Sequence, residues 1–260
     1  MSVVSLLTYD VRNRVAWLGL NRPDKRNAIN EQLISEIDAA VVRASNEARV
    51  IVLFGHGTCF SAGLDLSEQR TRSAAETFGH SRRWHDVFSR IRYGRIPAIA
   101  ALHGPTIGGG LELAAACHLR VADATAVFAL PEGQRGIYVG GGASVHVARL
   151  FGVARMTDMM LTGRVQDAQA AERFGLVQYL TAAGTAQAKA AEIAAKVADV
   201  APLTVMAVLH ALPRIQDMSE ADGLFVESLA AALVQTAPEA AQRLAEFVDK
   251  RAKPIEKPSD

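Results

Sequence analysis

The stretch His103-Gly-Pro-Thr-Ile-Gly-Gly-Gly-Leu-Glu-Leu113 decides the fold, because three consecutive glycines fall where a strand gives way to a helix. Residues 96–102 before it are apolar and strand-like, and the leucines and alanines after Gly110 follow a helical pattern. Glycine lets another group approach the backbone closely, and a helix start presents free N–H groups. Such a place attracts developing negative charge, and Glu112 lies where its carboxylate could reach whatever those amides hold.

Two familiar phosphate-binding motifs nearly match this chain and fail. A Walker loop requires a lysine where Gly110 stands, and a dinucleotide fingerprint starting at Gly55 requires a glycine where Phe60 stands. The glycines also fit a simple packing role, since glycine permits tight contact between a helix and a strand. The glycines alone therefore leave both an anion-binding role and a packing role open.

Composition bounds the class of protein. The chain has 260 residues, 50% of them hydrophobic, and a net charge of +1, which argues against binding to nucleic acid or a membrane surface. Two cysteines favour a reducing compartment, and the cysteines and histidines lack metal-ligand spacing. The N-terminus lacks the features of a signal peptide, and no apolar run reaches membrane-spanning length. We therefore expect a cytoplasmic protein without a metal site.

Strands and helices alternate along most of the chain, and a helical region follows. Asn30 is a predicted N-cap, Trp84 to Ile91 mark an amphipathic helix, and the glycines at 140–142 open another helix. From Ala182 onward the chain is alanine-rich and helical. Strands are predicted over residues 3–9, 15–20, 50–54, 96–102, 119–122 and 126–130.

Four features stand in a specific order. The loop Phe60-Ser-Ala-Gly-Leu-Asp65 follows one strand and the glycine loop follows another, then come Glu112 and, 20 residues later, Glu132. In this order and spacing the sequence resembles the crotonase superfamily, the enoyl-CoA hydratases and isomerases. The resemblance covers nearly the whole chain, and it includes the segments 20–23, 161–163, 171–177 and 247–251.

The resemblance implies an α/β fold. It implies a crotonase-like spiral of β-β-α units over residues 1–195 and a C-terminal helical trimerisation region over 196–260. It also implies a homotrimer, or a homohexamer made of two trimers. The implied substrate is an acyl-CoA thioester, as in fatty acid metabolism, and no separate cofactor is expected because coenzyme A is part of the substrate.

The resemblance also implies the residues of the site. The two backbone N–H groups of the oxyanion hole match Leu64 and Gly109, and the two catalytic carboxylates match Glu112 and Glu132. By analogy, Glu112 orients and deprotonates a water and Glu132 supplies the proton at C2. The positions that match the CoA-binding site are Arg26, Ala28, Ala62, Leu64, Asp65, Leu66, Gly109, Pro131 and Gly140, with Phe247 and Lys250 on a helix that reaches CoA from a neighbouring subunit.

The chemistry explains why these groups are needed. Adding water to a conjugated thioester puts negative charge on the thioester oxygen, and losing one of two preorganised N–H donors costs about 2.7–4 kcal/mol. Hydration also needs one ionised and one protonated carboxylate on either side of the alkene. Burial and mutual repulsion would keep the pKa of the protonated one high. We therefore predict an enoyl-CoA hydratase that adds water across the 2,3 double bond.

Several alternatives stay open at the level of sequence. The segment 136–146 departs from the family pattern, since Tyr138 stands where a proline is usual and Ser144-Val-His146 replaces Thr-Gln-Arg. Gly133-Gln-Arg135 is also more polar than usual, and this region lines the acyl side of the site in the family. The alternatives are therefore an isomerase, a thioester hydrolase or a lyase, and, outside enzymes, an RNA- or CoA-binding relative.

Simpler roles also exist for the singled-out residues. Glu112 could merely stabilise a helix start, and Glu132 could merely cap the segment after it. The loop cations at 22, 25 and 26 could be solvated, and the aromatic residues near Trp84 are most simply interpreted as core and surface.

Overall fold

Two sheets organise the computed structural model, which describes residues 5–68 and 72–249, with the side chain of Glu68 excepted. Within those residues the strands are β1 Leu7–Arg12, β2 Val15–Leu20, β3 Val50–Gly55, β4 Ala98–Leu102, β5 Pro105–Ile107, β6 Leu119–Asp123, β7 Val127–Ala129, β8 Gln166–Asp167 and β9 Tyr179–Thr181.

The larger sheet has the order β1-β2-β3-β4-β6-β9. β1 and β2 are antiparallel, joined through Asn13 and Arg14 at positive φ, and every later pairing is parallel. The parallel strands β3 and β4 are nearly continuous apolar runs, which is typical of strands covered on both faces.

The smaller sheet has the order β5-β7-β8, with β5 and β7 parallel. An isolated bridge between Ser61 and Thr106 ties the loop after β3 to its edge. The chain therefore makes two successive β-β-α turns, β4–β5–α3 and β6–β7–α4, where α3 is Gly109–Ala116 and α4 is Ala143–Phe151. The first strands of the two turns pair in the large sheet and the second strands pair in the small one.

Helices cover the faces of the sheets. Asn30 is confirmed as an N-cap, because its Oδ1 accepts a hydrogen bond from the Leu33 N–H, and Ser73 with Glu76 forms a capping box. The other helices are α1 Glu31–Glu47, α2 Ala74–Arg92, α5 Val153–Thr162, α6 Ala168–Arg173, α7 Ala186–Ala198, α8 Pro202–Met206, α9 Leu212–Ile215, α10 Glu220–Gln235 and α11 Pro238–Val248, with a π-helical turn Ala207–Ala211 between α8 and α9.

Apolar side chains on both faces of the large sheet build the core. On one face, residues of α1, α2 and α3 bury against the inward side chains of β2, β3 and β4. On the other face, the alanines of α7 and Ile193 pack against Val50, Val52 and Ile99. The parallel strands are thereby packed on both faces by helices.

The chain divides into two compact units, of which the first ends at Ala198 and the second begins at Asp199. The second unit contains α8 to α11, and Pro202 is the first residue of α8, where its missing N–H costs no hydrogen bond. Over the described residues, no one helix has the length and apolar composition needed to cross a membrane, although α7 together with residues 202–215 satisfies those two criteria as an interrupted pair.

The predicted α/β class is confirmed, and the strand boundaries differ in places. β1 begins at Leu7 rather than at residue 3, and residues 3 and 4 lie outside the described part. The short strand β5 lies between β4 and the glycine segment, which the sequence placed directly after one strand. The three residues of β5 turn the chain away from the large sheet, so the glycines follow the second strand of a turn.

Candidate active site

The glycine segment forms the start of α3. Gly108 is the N-cap with φ of +53°, a backbone conformation that L side chains rarely adopt, and no side chain caps the helix. The Gly108 N–H donates to the Ala129 carbonyl of β7 at 2.9 Å, which fixes the segment to the neighbouring turn. The first N–H groups of α3, beginning with that of Gly109, therefore point away from the strands.

The loop after β3 brings a second N–H group beside the first. Gly63 has φ of +88°, and a Cβ atom placed on it would lie 3.0 Å from the Gly109 nitrogen. A Cβ placed on Gly109 would lie 3.4 Å from the Leu64 nitrogen. Within the described residues neither the Leu64 nor the Gly109 N–H donates to a protein acceptor. The two predicted oxyanion donors are thus neighbours, and both are available to a ligand.

Ser61 holds that loop in register with the glycine segment. Its carbonyl accepts from the Ile107 N–H at 3.0 Å, and its N–H donates to the Pro105 carbonyl at 3.2 Å. Its hydroxyl donates to the Asn27 carbonyl and accepts from the Gly63 N–H at 3.1 Å. The distance between the two N–H groups therefore depends on the hydrogen bonds of Ser61 and not on the Leu64 side chain. This explains why residue 64 need not be a leucine.

Glu112 lies in the first half of α3 and is 4% exposed. Its Oε1 accepts hydrogen bonds from the N–H groups of Gly141 at 2.8 Å and Ala143 at 3.0 Å. Burial raises its pKa to about 7, against the effect of those two bonds, and the charge of Glu132 raises it further. Both protonation states of Glu112 are therefore accessible near neutral pH.

Glu132 follows β7, where the second β-β-α turn leaves its strand. It is 8% exposed, and burial raises the pKa of its carboxyl group while Arg135 lowers it. Its Oε1 lies over Gly108, where an added Cβ would approach within 2.7 Å, and its Oε2 is buried without a protein partner. Glu132 does not cap the turn after it. The simpler role as a capping carboxylate is therefore excluded.

One cavity of about 380 Å³ joins these groups. Leu64, Gly109, Glu112 and Glu132 all line it, so the four predicted catalytic positions converge. The other lining residues are Ala62, Leu66, Arg72, Thr77, His80, Ser81, Trp84, Gly108, Arg135, Ile137, Tyr138, Val139, Gly140 and Gly141.

The predicted CoA-binding positions divide into two groups. Ala62, Leu66 and Gly140 line the cavity, and Leu66 is 45% exposed at its mouth. Leu64 and Gly109 line the cavity as well. Outside the lining lie Asp65, the exposed Arg26, and the half-buried Ala28 and Pro131. Phe247 lies on α11 of the second unit with 67% of its surface exposed, and Lys250 lies outside the described residues.

Asp65 has an internal role. Its Oδ2 pairs with Arg22 at 2.9 Å, and its Oδ1 accepts from the Ser67 N–H and hydroxyl. Burial would raise the pKa of Asp65, yet the bonds from Ser67 and Arg22 hold it below its ordinary value. Arg22 also donates to the Ala28 carbonyl at 2.5 Å. The carboxylate of Asp65 thus locks two site loops together and faces inward, and Arg22 is not the solvated loop cation of the simpler interpretation.

The sequence missed part of the wall of the cavity. The N–H groups of Gly141 and Ala143 hold Glu112, whereas the sequence predicts a helix opening at 140–142 and a CoA-binding position at Gly140, with no contact to Glu112. Trp84 was most simply interpreted as core; it is 4% exposed, and it also lines the cavity against Gly109. The Nε2 of His80, one turn earlier on α2, lies 3.0 Å from the Glu31 carboxylate, which accepts from it, and the imidazole ring stacks obliquely on Trp84. The helical spacing of aromatic residues on α2 is the sequence pattern that indicates this wall. The pattern does not distinguish a residue that lines the cavity from one that is buried in the core.

No cluster of three metal-ligating side chains exists in the described ranges.

Comparison with known proteins gives a consistent result. The family model described as Enoyl-CoA hydratase/isomerase matches residues 10–257. A mitochondrial protein of Arabidopsis thaliana assigned as enoyl-CoA hydratase 2 is 35% identical, over 92% of this chain and 80% of its own length. The 2,3-dehydroadipyl-CoA hydratase of Escherichia coli is 32% identical, over 95% of this chain and 97% of its own. A crystal structure from Rhodopseudomonas palustris, assigned as an enoyl-CoA hydratase, is 51% identical with a TM-score of 0.92 and covers 95% of both chains.

Proposed function

The chain belongs to the enoyl-CoA hydratase/isomerase family, and we propose that it hydrates 2-enoyl-CoA thioesters with two glutamates and two backbone N–H groups. The observation that carries the proposal is the convergence in one cavity of Glu112 and Glu132 with the N–H groups of Leu64 and Gly109. Hydration uses all four groups, whereas binding alone would not require two buried carboxylates. The chain is therefore an enzyme of the hydro-lyase class.

The thioester oxygen sits between the Leu64 and Gly109 N–H groups. Attack at C3 moves electrons onto this oxygen, and fixed donors stabilise the resulting enolate without having to reorganise. The α3 helix adds its positive end on the same side. Gly108 and Gly63 hold these donors by backbone conformations that need φ above zero, so the site depends on glycine at both positions.

The two glutamates share the proton chemistry. Glu112 acts as the base toward water, because the N–H groups of Gly141 and Ala143 orient its carboxyl group in the wall of the cavity. Glu132 supplies the proton at C2, because its buried Oε2 has no protein donor and its burial favours the protonated form. The charge of Glu132 adds to the effect of burial in raising the pKa of Glu112.

The CoA moiety enters past Ala62 and Leu66. We propose that Arg26, Ala28 and Pro131, which lie outside the cavity lining, contact the part of CoA that projects from it. Asp65 supports this entrance by fixing its loop through Arg22. Phe247 and Lys250 remain proposed contacts to a CoA bound by a neighbouring subunit.

The test of the proposal is product identification with short, medium and aromatic 2-enoyl-CoAs. Hydration removes the ultraviolet absorbance of the conjugated thioester and forms a 3-hydroxyacyl-CoA, which mass spectrometry identifies by the mass of one added water. An isomerase would instead move the double bond at constant mass, and a hydrolase would release a thiol. Absence of the hydrated product with every substrate would refute the proposal.

We also propose a trimer, or a hexamer of two trimers. The support is the apolar surface of the second unit, where large side chains such as Leu224, Phe225 and Leu229 on α10 are more than half exposed in the single chain. Apolar patches of this kind usually mark interfaces. Light scattering at micromolar concentration measures the mass directly, and a monomer would contradict the assembly without affecting the chemistry.

A further inference from the structure

The charged side chains of the cavity wall differ in how they are neutralised. Arg72 lies 3.8 Å from Glu31, which also contacts His80 and Arg83, so its charge is partly offset. Arg135 lines the same cavity and forms no ion pair with any carboxylate in the described part of the chain. It is therefore the lining cation whose charge stays available to a ligand.

The turn that carries Arg135 is fixed from both sides. Gly133 packs against the Met160 carbonyl at the end of α5, where there is no room for a Cβ atom, and the Gln134 amide donates to the Leu161 carbonyl at 2.8 Å. The Arg135 N–H donates to the Glu132 carbonyl at 3.0 Å. The backbone of Arg135 is thus anchored one short turn beyond a reacting carboxylate, and its exposed guanidinium is free to adjust to a substrate.

The glutamates that flank the cavity do not compensate this charge fully. Burial raises the pKa of both Glu112 and Glu132, and Arg135 lowers that of Glu132 without forming an ion pair with it. Burial and the neighbouring Arg72 lower the pKa of His80, so it adds no charge of its own at neutral pH. The cavity thus combines apolar surface from Trp84 and Val139 with the positive charge of Arg135.

We propose that Arg135 is a specificity-determining residue that pairs with an anionic group, a carboxylate, on the acyl chain beyond C3 of the substrate. This inference rests on the proposed hydration, which places C2 and C3 beside the two glutamates. The apolar wall accommodates the methylenes, and the planar guanidinium matches a carboxylate with two parallel hydrogen bonds. The preferred substrates are therefore 2-enoyl-CoAs that end in a carboxylate, rather than those that end in a methyl group.

The kinetic test compares substrates of equal length that differ only in their terminal group. For wild type, kcat/KM should be at least about tenfold higher for an ω-carboxylated 2-enoyl-CoA than for its methyl ester, at the best chain length of a series. Arg135→Gln should remove that preference, lowering kcat/KM for the ω-carboxylated substrate far more than for the ester. Arg135→Lys should restore part of it, since lysine keeps the charge and loses the bidentate geometry.

The matched control is Arg173→Gln, which removes an exposed arginine on α6 outside the cavity lining and should leave the preference unchanged. A wild-type enzyme that prefers the ester, or an Arg135→Gln variant that lowers kcat/KM for both substrates equally, would overturn the inference.

A binding measurement separates this inference from the proposed function. Calorimetry with hexanoyl-CoA and its ω-carboxylated analogue, both saturated and unreactive, reports recognition without turnover. Tighter binding of the carboxylated thioester, lost in Arg135→Gln, supports the inference even if no enoyl-CoA is hydrated, in which case only the hydratase proposal fails. Equal binding of the two saturated thioesters to wild type, together with equal hydration rates, contradicts the role of Arg135 while the hydratase proposal stands.

Discussion

Replacing Glu112 with glutamine should abolish activity and at the same time stabilise the protein at alkaline pH. The amide is nearly isosteric with the carboxyl group, and its oxygen can still accept the N–H groups of Gly141 and Ala143. The variant loses the group proposed to deprotonate water, so kcat should fall by about 10²- to 10⁴-fold. KM should change little, because this carboxylate does not hold the CoA moiety.

The gain in stability follows from the raised pKa of Glu112. Its pKa is about 7 in the folded protein against an ordinary value of 4.5, and burial is the main cause. A group with a raised folded pKa favours the folded state most below pH 4.5 and loses that contribution as the pH rises through 7. The difference between the two pKa values corresponds to about 3 kcal/mol at most. A neutral glutamine avoids this loss.

The measurement is urea unfolding of wild type and Glu112→Gln near pH 4.5 and near pH 8.5, at one protein concentration because the proposed trimer or hexamer would make stability depend on concentration. The free energies of unfolding should be similar at the acidic pH and should differ by up to about 3 kcal/mol in favour of the variant at the alkaline pH. Glu172→Gln is the control, since Glu172 is exposed on α6. A variant that is inactive but equally less stable at both pH values would refute the reasoning, because it would mean that the carboxylate is structural.

Three further predictions concern the rest of the site. Gly109→Ala would place a Cβ atom 2.7 Å from the Trp84 ring and beside the Leu64 N–H, so kcat in steady-state kinetics should fall about 10²- to 10³-fold. Gly140→Ala is the control in the same cavity: its Cβ would meet only ordinary contacts, and kcat should stay within about threefold of wild type. Glu132→Gln should lower kcat about 10²- to 10⁴-fold, and adding it to Glu112→Gln should cost scarcely more, whereas near-normal activity of the single variant would exclude a carboxylate pair. Asp65→Asn leaves Arg22 without its anion and should lower the free energy of unfolding in urea by about 1.5–3 kcal/mol; an unchanged midpoint would mean that this pair does not fix the loop.

The sequence was sufficient for the side chains that carry the chemistry. Glu112 and Glu132 lie in one cavity as expected, and the glycines mark the two loops whose N–H groups meet. These features are visible in sequence because each depends on a residue type: a carboxylate, or a glycine at positive φ. The packing role that the glycines left open also exists, since Gly110 lies tightly against Ser61.

The rest of the site depends on backbone groups and long-range pairs that leave no local signal. The N–H groups that hold Glu112 belong to Gly141 and Ala143, and any residue type supplies an N–H. The ion pair between Arg22 and Asp65 joins two loops that are 43 residues apart in sequence. Arginine and aspartate are usually surface residues, so the sequence does not indicate that the fold buries these two. The same holds for Arg135, whose position in the cavity follows from the anchoring of its turn on α5.

The meeting of the two glutamates is a consequence of how the β-β-α turns repeat. Each glutamate follows the second strand of a turn, and those strands, β5 and β7, are parallel neighbours with Ile107 opposite Ala129. Segments that leave adjacent parallel strands start from the same edge of the sheet, so the glycine segment and the Glu132 loop begin side by side. The hydrogen bond from Gly108 to the Ala129 carbonyl closes this junction and puts Glu132 over Gly108. Two residues that are 20 apart in sequence thereby line one cavity, and the register between the three-residue strands β5 and β7 sets their separation.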